Sequence, residues 1–305
     1  MSEYVATSEP RLSLSYLNGV LLVLLAGVFW STMGLGVRSM DDANVWQILF
    51  YRSISLAIFL FLLISFRSGF KPLVRIKKAG ISGVIGAWGL VLAFSGGIYA
   101  IQTTTVANAM FLFASAPFFA AFLGWIILRE SVRRSTWIAC AVAAIGIVVM
   151  VVDGIAVGHM TGNISALLSA LGFATFTIAL RWGRLEDMLP AVFLAGVFAI
   201  LVSAVVCFAN GFSFVLSTND VSISVAMGVF QVGTGLAIYT IGSKVVPAAE
   251  LALLSMTEVL LGPVWVWLFL GETASQYTLV GGVILLLAIA GNALTGLRRK
   301  PVPVM

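Results

Sequence analysis

The stretch AELALLSMTEVLLGPVWVWLFLGET, residues 249–273, decides the fold because it has a counterpart earlier in the chain. Residues 107–131 read ANAMFLFASAPFFAAFLGWIILRES, and the two copies align at an offset of 142, which places Glu130 on Glu272. Each copy is an apolar run of about 20 residues, long enough to cross a bilayer. The chain therefore contains an internal repeat whose unit includes a membrane-spanning helix.

Further matches occur at nearly the same offset along the chain. They are Trp125 with Trp267, Asn108 with Glu250, Ala116 with Glu258, Ile98-Tyr99 with Ile238-Tyr239, and WSTMGLGVR (residues 30–38) with FATFTIALR (residues 173–181). They predict two repeats of five helices each. Because five is odd, the second repeat enters the membrane from the opposite side. Inverted repeats are typical of secondary transporters, with the substrate site near the midplane, although some channels also have them.

The composition also indicates a membrane protein. Of the 305 residues, 61% are hydrophobic and only 10% are charged, whereas a soluble domain has about 25% charged residues. This excludes a soluble enzyme, a disordered protein and a secreted disulfide scaffold. The net charge of +5 comes from short basic clusters between apolar runs, so it does not indicate nucleic-acid binding.

Ten apolar runs are long enough to span a bilayer. They cover residues 17–37, 45–66, 79–101, 105–128, 135–152, 162–181, 188–209, 222–244, 247–270 and 276–297. The runs are continuous and do not alternate with a period of two, which excludes a β-barrel. The sequence therefore predicts an all-α polytopic membrane protein with short connections and no extramembrane domain.

The distribution of basic residues predicts the orientation. With the N-terminus inside, fifteen of the 17 Lys and Arg residues fall on the inner side, Arg38 falls outside, and Arg52 lies within the second run. The positive-inside rule then places both termini in the cytoplasm. The predicted organisation is a tail over residues 1–16, repeats over 17–152 and 162–297, and a second tail over 298–305. The first run is long enough to be a spanning helix and not a cleaved signal peptide.

These features resemble the drug/metabolite transporter superfamily in its ten-helix EamA-type branch. The resemblance rests on LGWIILRES and WVWLFLGETASQYTLVGG at the ends of the fourth and ninth runs, on the basic residues that close residues 30–38 and 173–181, and on Arg52 early in the second run. Arg129 replaces the usual glycine before Glu130. The texture is most similar to the bacterial YddG-type aromatic amino acid exporters. The resemblance implies a multi-pass protein of the bacterial inner membrane that exports amino acids.

Glu258 is the most prominent candidate for a functional residue. It lies near the middle of the ninth run, where an ionisable group rarely faces lipid. Ser255 precedes it by one turn and shares its helical face. The functional interpretation is an anchor for a substrate ammonium group or a carboxylate for proton coupling. The alternative is a buried acid that only holds helices together.

The eighth run carries small and polar residues at helical spacing: Gly228, Gln231, Gly235, Tyr239 and Gly242. Their counterparts in the third run include Trp88, Ser95 and Tyr99. We expect these faces to line a cavity, with Tyr99 and Tyr239 as gates on its two sides. The alternative is ordinary helix packing with aromatic residues at the membrane interface.

Other positions come from the resemblance or from helix geometry. Trp30, Asn108, Ser115 and Thr175 lie on helices that line the cavity in the family. Pro117 and Pro263 lie inside the fourth and ninth runs and are candidate hinges. We expect Glu250 to snorkel or meet Lys244, and Arg52 to be structural, bonded to carbonyl groups or to Asp41 or Asp42.

No motif for ATP hydrolysis, proteolysis, metal binding or a cofactor is present, so an enzyme is not predicted. The leading hypothesis is a secondary transporter that exports an aromatic or hydrophobic amino acid by alternating access. The other hypotheses are a drug or another metabolite as cargo, a channel or facilitator, and a lipid-modifying enzyme, for which the sequence shows no catalytic cluster. The expected partners are this small-molecule substrate and membrane lipids, and the oligomeric state is left open.

Overall fold

The computed structural model describes residues 15–156, 158–185 and 187–297. This part contains ten helices long and apolar enough to span a membrane and no strand, which confirms the predicted all-helical class. The helices are α1 Tyr16–Arg38, α2 Val45–Arg67, α3 Gly80–Thr103, α4 Val106–Ile127, α5 Arg134–Ala156, α6 Met160–Trp182, α7 Leu189–Ala209, α8 Thr218–Gly242, α9 Ala248–Leu270 and α10 Gln276–Leu297. A short helix, Pro72–Lys78, lies between α2 and α3.

Two of the predicted segments extend beyond the described residues. The C-terminal tail, residues 298–305, lies outside them, as do residues 1–14 of the N-terminal tail. Tyr16, the last residue of the predicted N-terminal tail, begins α1. The cytoplasmic placement of the termini and the division into two repeats stay predictions.

Polar side chains at the helix starts fix several boundaries. Asn44 forms a capping box with Gln47 at the start of α2, and Thr105 accepts a hydrogen bond from the Asn108 N–H at the start of α4. Ser217 accepts one from Asp220 at the start of α8. Each cap satisfies backbone donors that have no partner within the helix.

Two helices are interrupted near their middles. In α1 the interruption is at Thr32, whose hydroxyl bonds the carbonyl of Phe29 at 2.7 Å. In α4 it separates Phe113 from Ala116, and the hydroxyl of Ser115 bonds the Leu112 carbonyl at 2.6 Å. Such hydrogen bonds from a side chain to a backbone carbonyl bend helices. Pro117 lies in the first turn of the second half of α4, where the N–H that proline lacks would have no helical partner.

The helices alternate in direction, so α1 ends at Arg38 on one face of the bundle and α6 ends at Arg181 on the other. We call these the Arg38 face and the Arg181 face. The charge distribution predicts that the Arg38 face is the outer one. In the interior, α3 and α6 approach so closely that a Cβ on Gly172 would lie 2.5 Å from the Gly89 carbonyl oxygen. Small residues thus allow backbone contact, as is common between membrane helices.

Candidate functional site

Four of the predicted site residues lie together on α1, α8 and α9. The rings of Trp30 and Tyr239 are 5.2 Å apart, and the Tyr239 hydroxyl interacts with the side chain of Ser255. Glu258 lies one turn further along α9, with its backbone within contact distance of Gly27 on α1. All four predicted residues are half-buried. We call Trp30, Tyr239, Ser255 and Glu258 the aromatic–acid cluster.

The Glu258 carboxyl group forms no hydrogen bond or ion pair with any residue in the described part of the chain. The structure therefore shows, among the described residues, no ion pair through which it would join two helices, and the choice between the two interpretations stays open. A carboxyl group at this depth that no described residue pairs with is available to bind a proton or a cationic group. The cluster thus combines an acid with aromatic surface.

Three other predicted site residues bond within the protein. Asn108 is buried and donates to Asn163 on α6 and to Thr104. Ser115 is buried and bonds within α4, and Thr175 bonds the Leu171 carbonyl at 2.9 Å. The structure places them in helix packing and helix bending, apart from the aromatic–acid cluster.

The two aromatic residues predicted on α3 also lie elsewhere. Trp88 is about half exposed and stacks on Phe198 of α7, with ring centroids 5.2 Å apart. Tyr99 is exposed and makes no ring contact in the described part of the chain, whereas Tyr239 packs on Trp30. The two tyrosines therefore have different surroundings in this structure, and their role as gates stays a prediction.

The expected single face on α8 is wrong. Residues Met227–Thr234 form a π-helix, which has more residues per turn than an α-helix. As a result, Gly228 faces α2, where a Cβ would lie 2.3 Å from the Arg52 carbonyl oxygen, and Gly235 faces Trp30 on α1. Gln231 lies between them, is buried, and its Oε1 has no hydrogen-bond partner.

The predicted hinge residues differ in their setting. Pro117 follows the interruption in α4, whereas Pro263 lies within the uninterrupted helix α9. The neighbouring Gly262 packs against α4, since a Cβ there would lie 1.9 Å from the Met110 sulfur. Their action as hinges stays a prediction.

Glu250 and Arg52 do not contact the charged residues that were expected as their partners. Glu250 accepts a hydrogen bond from Tyr16 at the start of α1, not from Lys244. Asp41 and Asp42 do not reach Arg52, because the loop that carries them is held by Asp220, whose carboxylate accepts both backbone N–H groups. The Nε and Nη2 atoms of the Arg52 side chain have no hydrogen-bond partner in the described part of the chain.

A network on the Arg38 face joins α1, α9 and the turn between α3 and α4. Arg38 Nε pairs with Glu272 Oε2 at 2.9 Å, and Arg38 Nη2 donates to the Thr104 carbonyl at 2.8 Å. The second carboxylate oxygen of Glu272 accepts the Val106 N–H at 2.6 Å. The helices α3 and α4 are thereby fastened to α1 and α9 on this face.

The contacts on the Arg181 face are different. Arg181 pairs with Glu130 at 2.6 Å, which joins α6 to α4, while Tyr16 and Glu250 join α1 to α9. In the described part of the chain, no hydrogen bond or ion pair on this face joins the group α3, α4 and α6 to the group α1, α8 and α9. Among the described residues, the hydrogen bonds and ion pairs that join the two groups therefore lie on the Arg38 face.

The sequence alone did not predict these two ion pairs, although it contains a signal for them. The repeat offsets match Arg38 with Arg181 and Glu130 with Glu272. In the structure Arg38 pairs with Glu272 and Arg181 pairs with Glu130, so each arginine pairs with the glutamate from the other copy of the repeat. Asn163, the partner of Asn108, carried no such signal.

The sequence model of the EamA-like transporter family matches residues 17–152 and 160–294. The chain belongs to this family. It is therefore a membrane transporter, and the resemblance to the EamA-type branch is confirmed. The narrower likeness to aromatic amino acid exporters is not established by this match.

Individual relatives agree with the family. The chain is 26% identical over 278 residues to a pseudopaline exporter of Pseudomonas aeruginosa, which covers 89% of this chain and 94% of that protein. It is 23% identical over 294 residues to human solute carrier family 35 member G1, with 90% and 79% covered. One solved crystal structure superimposes with a TM-score of 0.64 at 18% identity, over 94% of this chain and all of the other, which shows the shared fold.

Proposed function

We propose that this chain is a secondary transporter that exports small amphipathic metabolites by alternating access, with aromatic or hydrophobic amino acids as cargo. The observation that carries the proposal is the one-sided fastening of the two helix groups. An inverted-repeat transporter alternates between two states that are open on opposite faces. A structure whose described residues join the two helix groups by polar contacts on the Arg38 face is what we expect for one of these states.

The aromatic–acid cluster supports the nature of the cargo. The rings of Trp30 and Tyr239 offer surface for an apolar side chain, and Glu258 offers a counter-charge for an ammonium group or a site for a coupled proton. If the Arg38 face is the outer one, as the charge distribution predicts, we expect this state to open toward the cytoplasm and to load cargo for export. The bacterial inner membrane as its location belongs to the same proposal.

A relative favours a second candidate cargo. The Pseudomonas aeruginosa protein is named as an exporter of pseudopaline, so export of a different metabolite on this fold is the alternative. A shared fold does not fix the cargo, because specificity resides in the side chains of the site.

Counterflow in proteoliposomes tests the proposal. Vesicles are preloaded with one unlabelled amino acid at a time, and entry of the labelled compound is followed against protein-free vesicles. A transient overshoot that saturates with concentration is expected for phenylalanine, tryptophan or leucine. Linear flux without overshoot would identify a channel, and no flux with any amino acid would remove amino acids as cargo and leave the second candidate.

A further inference from the structure

An unpaired cation lies buried between α2, α3 and α8. Arg52 is 1% exposed, and its Nε and Nη2 atoms have no hydrogen-bond partner. The described residues provide no acidic group that pairs with it. The guanidinium carbon lies 4.5 Å from the centroid of the Phe94 ring, a cation–π contact. A buried charge without a counter-charge is strongly unfavourable, so this site favours an anion, which no described residue supplies.

The free donors have a defined geometry. Nε and Nη2 lie on one edge of the guanidinium plane and point in the same direction, which is the arrangement that binds the two oxygens of a carboxylate. Arg38 uses the same edge to bond the Glu272 carboxylate and the Thr104 carbonyl. On Arg52 no described residue provides an acceptor for this edge.

More unpaired polar atoms lie on the helices around Arg52. The hydroxyl groups of Ser53 on α2 and Ser224 on α8 are fully buried and have no partner. The Oε1 atom of Gln231 on α8 is likewise unpaired. The π-helix that carries Gln231 also brings Gly228 against the Arg52 backbone. A π-helix within a membrane span is a frequent mark of a functional site.

We propose that Arg52 binds the carboxylate of the transported solute, with Gln231 as acceptor for the solute's amino group. This inference rests on the proposed function and assigns its carboxylate subsite. Because the carboxylate and the amine of an amino acid are attached to one carbon, we place both near Arg52. Glu258 is then free for proton coupling.

Binding to the purified protein tests the subsite without requiring transport. Thermal midpoints are measured in a chloride-free buffer with four separate probes: phenylalanine, 3-phenylpropanoate, phenethylamine and chloride. Phenylalanine and 3-phenylpropanoate are expected to raise the midpoint, whereas phenethylamine, which lacks the carboxylate, is not. In Arg52→Gln the half-saturating concentration of both carboxylates should rise roughly thirtyfold or more. Arg67→Gln, at the exposed end of the same helix, is the matched control and should not change it.

Two further variants cover a failure of Arg52→Gln to fold. Arg52→Lys keeps the charge but loses the two-donor edge and should bind both carboxylates more weakly than wild type. Gln231→Leu should weaken the binding of phenylalanine and leave the binding of 3-phenylpropanoate unchanged, because 3-phenylpropanoate has no amine. If chloride alone raises the midpoint and the Arg52 variants lose this effect, Arg52 is a resident chloride site and the proposal is overturned. Carboxylate binding that is unchanged in the Arg52 variants would also overturn it. Carboxylate binding without counterflow would instead support the subsite and count against the proposed transport of amino acids.

Discussion

Arg38 and Glu272 form an ion pair of 2.9 Å that joins the ends of α1 and α9, and their repeat counterparts, Arg181 and Glu130, form a second pair of 2.6 Å on the opposite face. The two pairs differ in what they hold. The carboxylate of Glu272 also accepts the Val106 N–H, so the first pair spans both helix groups. Glu130 and Arg181 join two helices of the same group.

Removing Glu272 should loosen the Arg38 face. Glu272→Ala deletes the ion pair and leaves the Val106 N–H without its acceptor, at a cost of about 1–3 kcal/mol. The equilibrium should then shift at least about fivefold toward opening on this face. In a protein with Cys140 and Cys207 replaced by serine, a cysteine at the buried Met110 should react correspondingly faster with an impermeant maleimide.

The control is Asp187→Asn, which removes an exposed ion pair with Arg75 at 3.4 Å. Exposed pairs contribute about 0–1 kcal/mol, so this variant should label at the wild-type rate. Equal labelling of the Asp187 and Glu272 variants would show that the pair does not fasten the Arg38 face.

The opposite state should form a mirrored network on the Arg181 face. The repeat offset of 142 matches Thr104 with Val246, so Arg181 should approach the Val246 carbonyl when that face closes. Cysteines at positions 181 and 246 should be joined by a short thiol cross-linker only when substrate cycles the protein. Cysteines at positions 38 and 104 should be joined in the state described above.

Each cross-link should stop counterflow, because alternating access needs both states. Cleavage of a reducible cross-linker should restore it. Full transport by a protein that is cross-linked on either face would contradict alternating access.

Glu258→Gln should abolish the pH dependence of transport and leave exchange between the two sides. Gln cannot bind a proton, but it preserves the volume and polarity of a side chain that has no partner in the described part of the chain. Glu250→Gln is the control, since Glu250 lies on the same helix and bonds Tyr16. Counterflow is measured from pH 5 to 8. If Glu258→Gln kept the wild-type dependence of counterflow on pH, Glu258 would be excluded from proton coupling.

Trp30→Ala should weaken the binding of aromatic cargo more than the binding of aliphatic cargo. Trp30 packs on Tyr239 at 5.2 Å, and a lost aromatic contact corresponds to about 0.5–1.5 kcal/mol, or roughly two- to tenfold in half-saturation. Trp137→Ala is the control, because Trp137 pairs with Trp125 near the Arg181 face. Equal losses for phenylalanine and leucine in the Trp30 variant would place cargo elsewhere.

Gly228→Ala should destabilise the protein. A Cβ there would lie 1.9 Å from Ser55 Oγ and 2.3 Å from the Arg52 carbonyl oxygen, so α2 and α8 must separate at a cost of about 1–3 kcal/mol. Gly291→Ala, with no atom within 4 Å of the new carbon, should be neutral or slightly stabilising. Thermal midpoints in detergent compare the two, and equal midpoints would contradict the close approach.

The repeat itself illustrates what the sequence could and could not predict. The offset identified Arg38 and Arg181, and Glu130 and Glu272, as equivalent positions, but it did not predict that each arginine pairs with a glutamate 51 or 234 residues away. The structure brings Trp30, Tyr239, Ser255 and Glu258 together, and their role as a site stays a prediction. Asn108, Ser115 and Thr175 are also polar, but their hydrogen bonds go to neighbouring groups outside the cluster, and Asn108 Oδ1 has no partner among the described residues.

The sequence by itself determined the ten spans, because a helix in lipid satisfies its own backbone and needs only about 20 apolar residues. It also determined the family. Only the tertiary structure decided that α8 contains a π-helix, that Arg52 and Glu258 lack partners in the described part of the chain, and that the helix groups are fastened on one face. Those properties depend on which distant side chains meet, and apolar runs of similar composition do not encode those meetings locally.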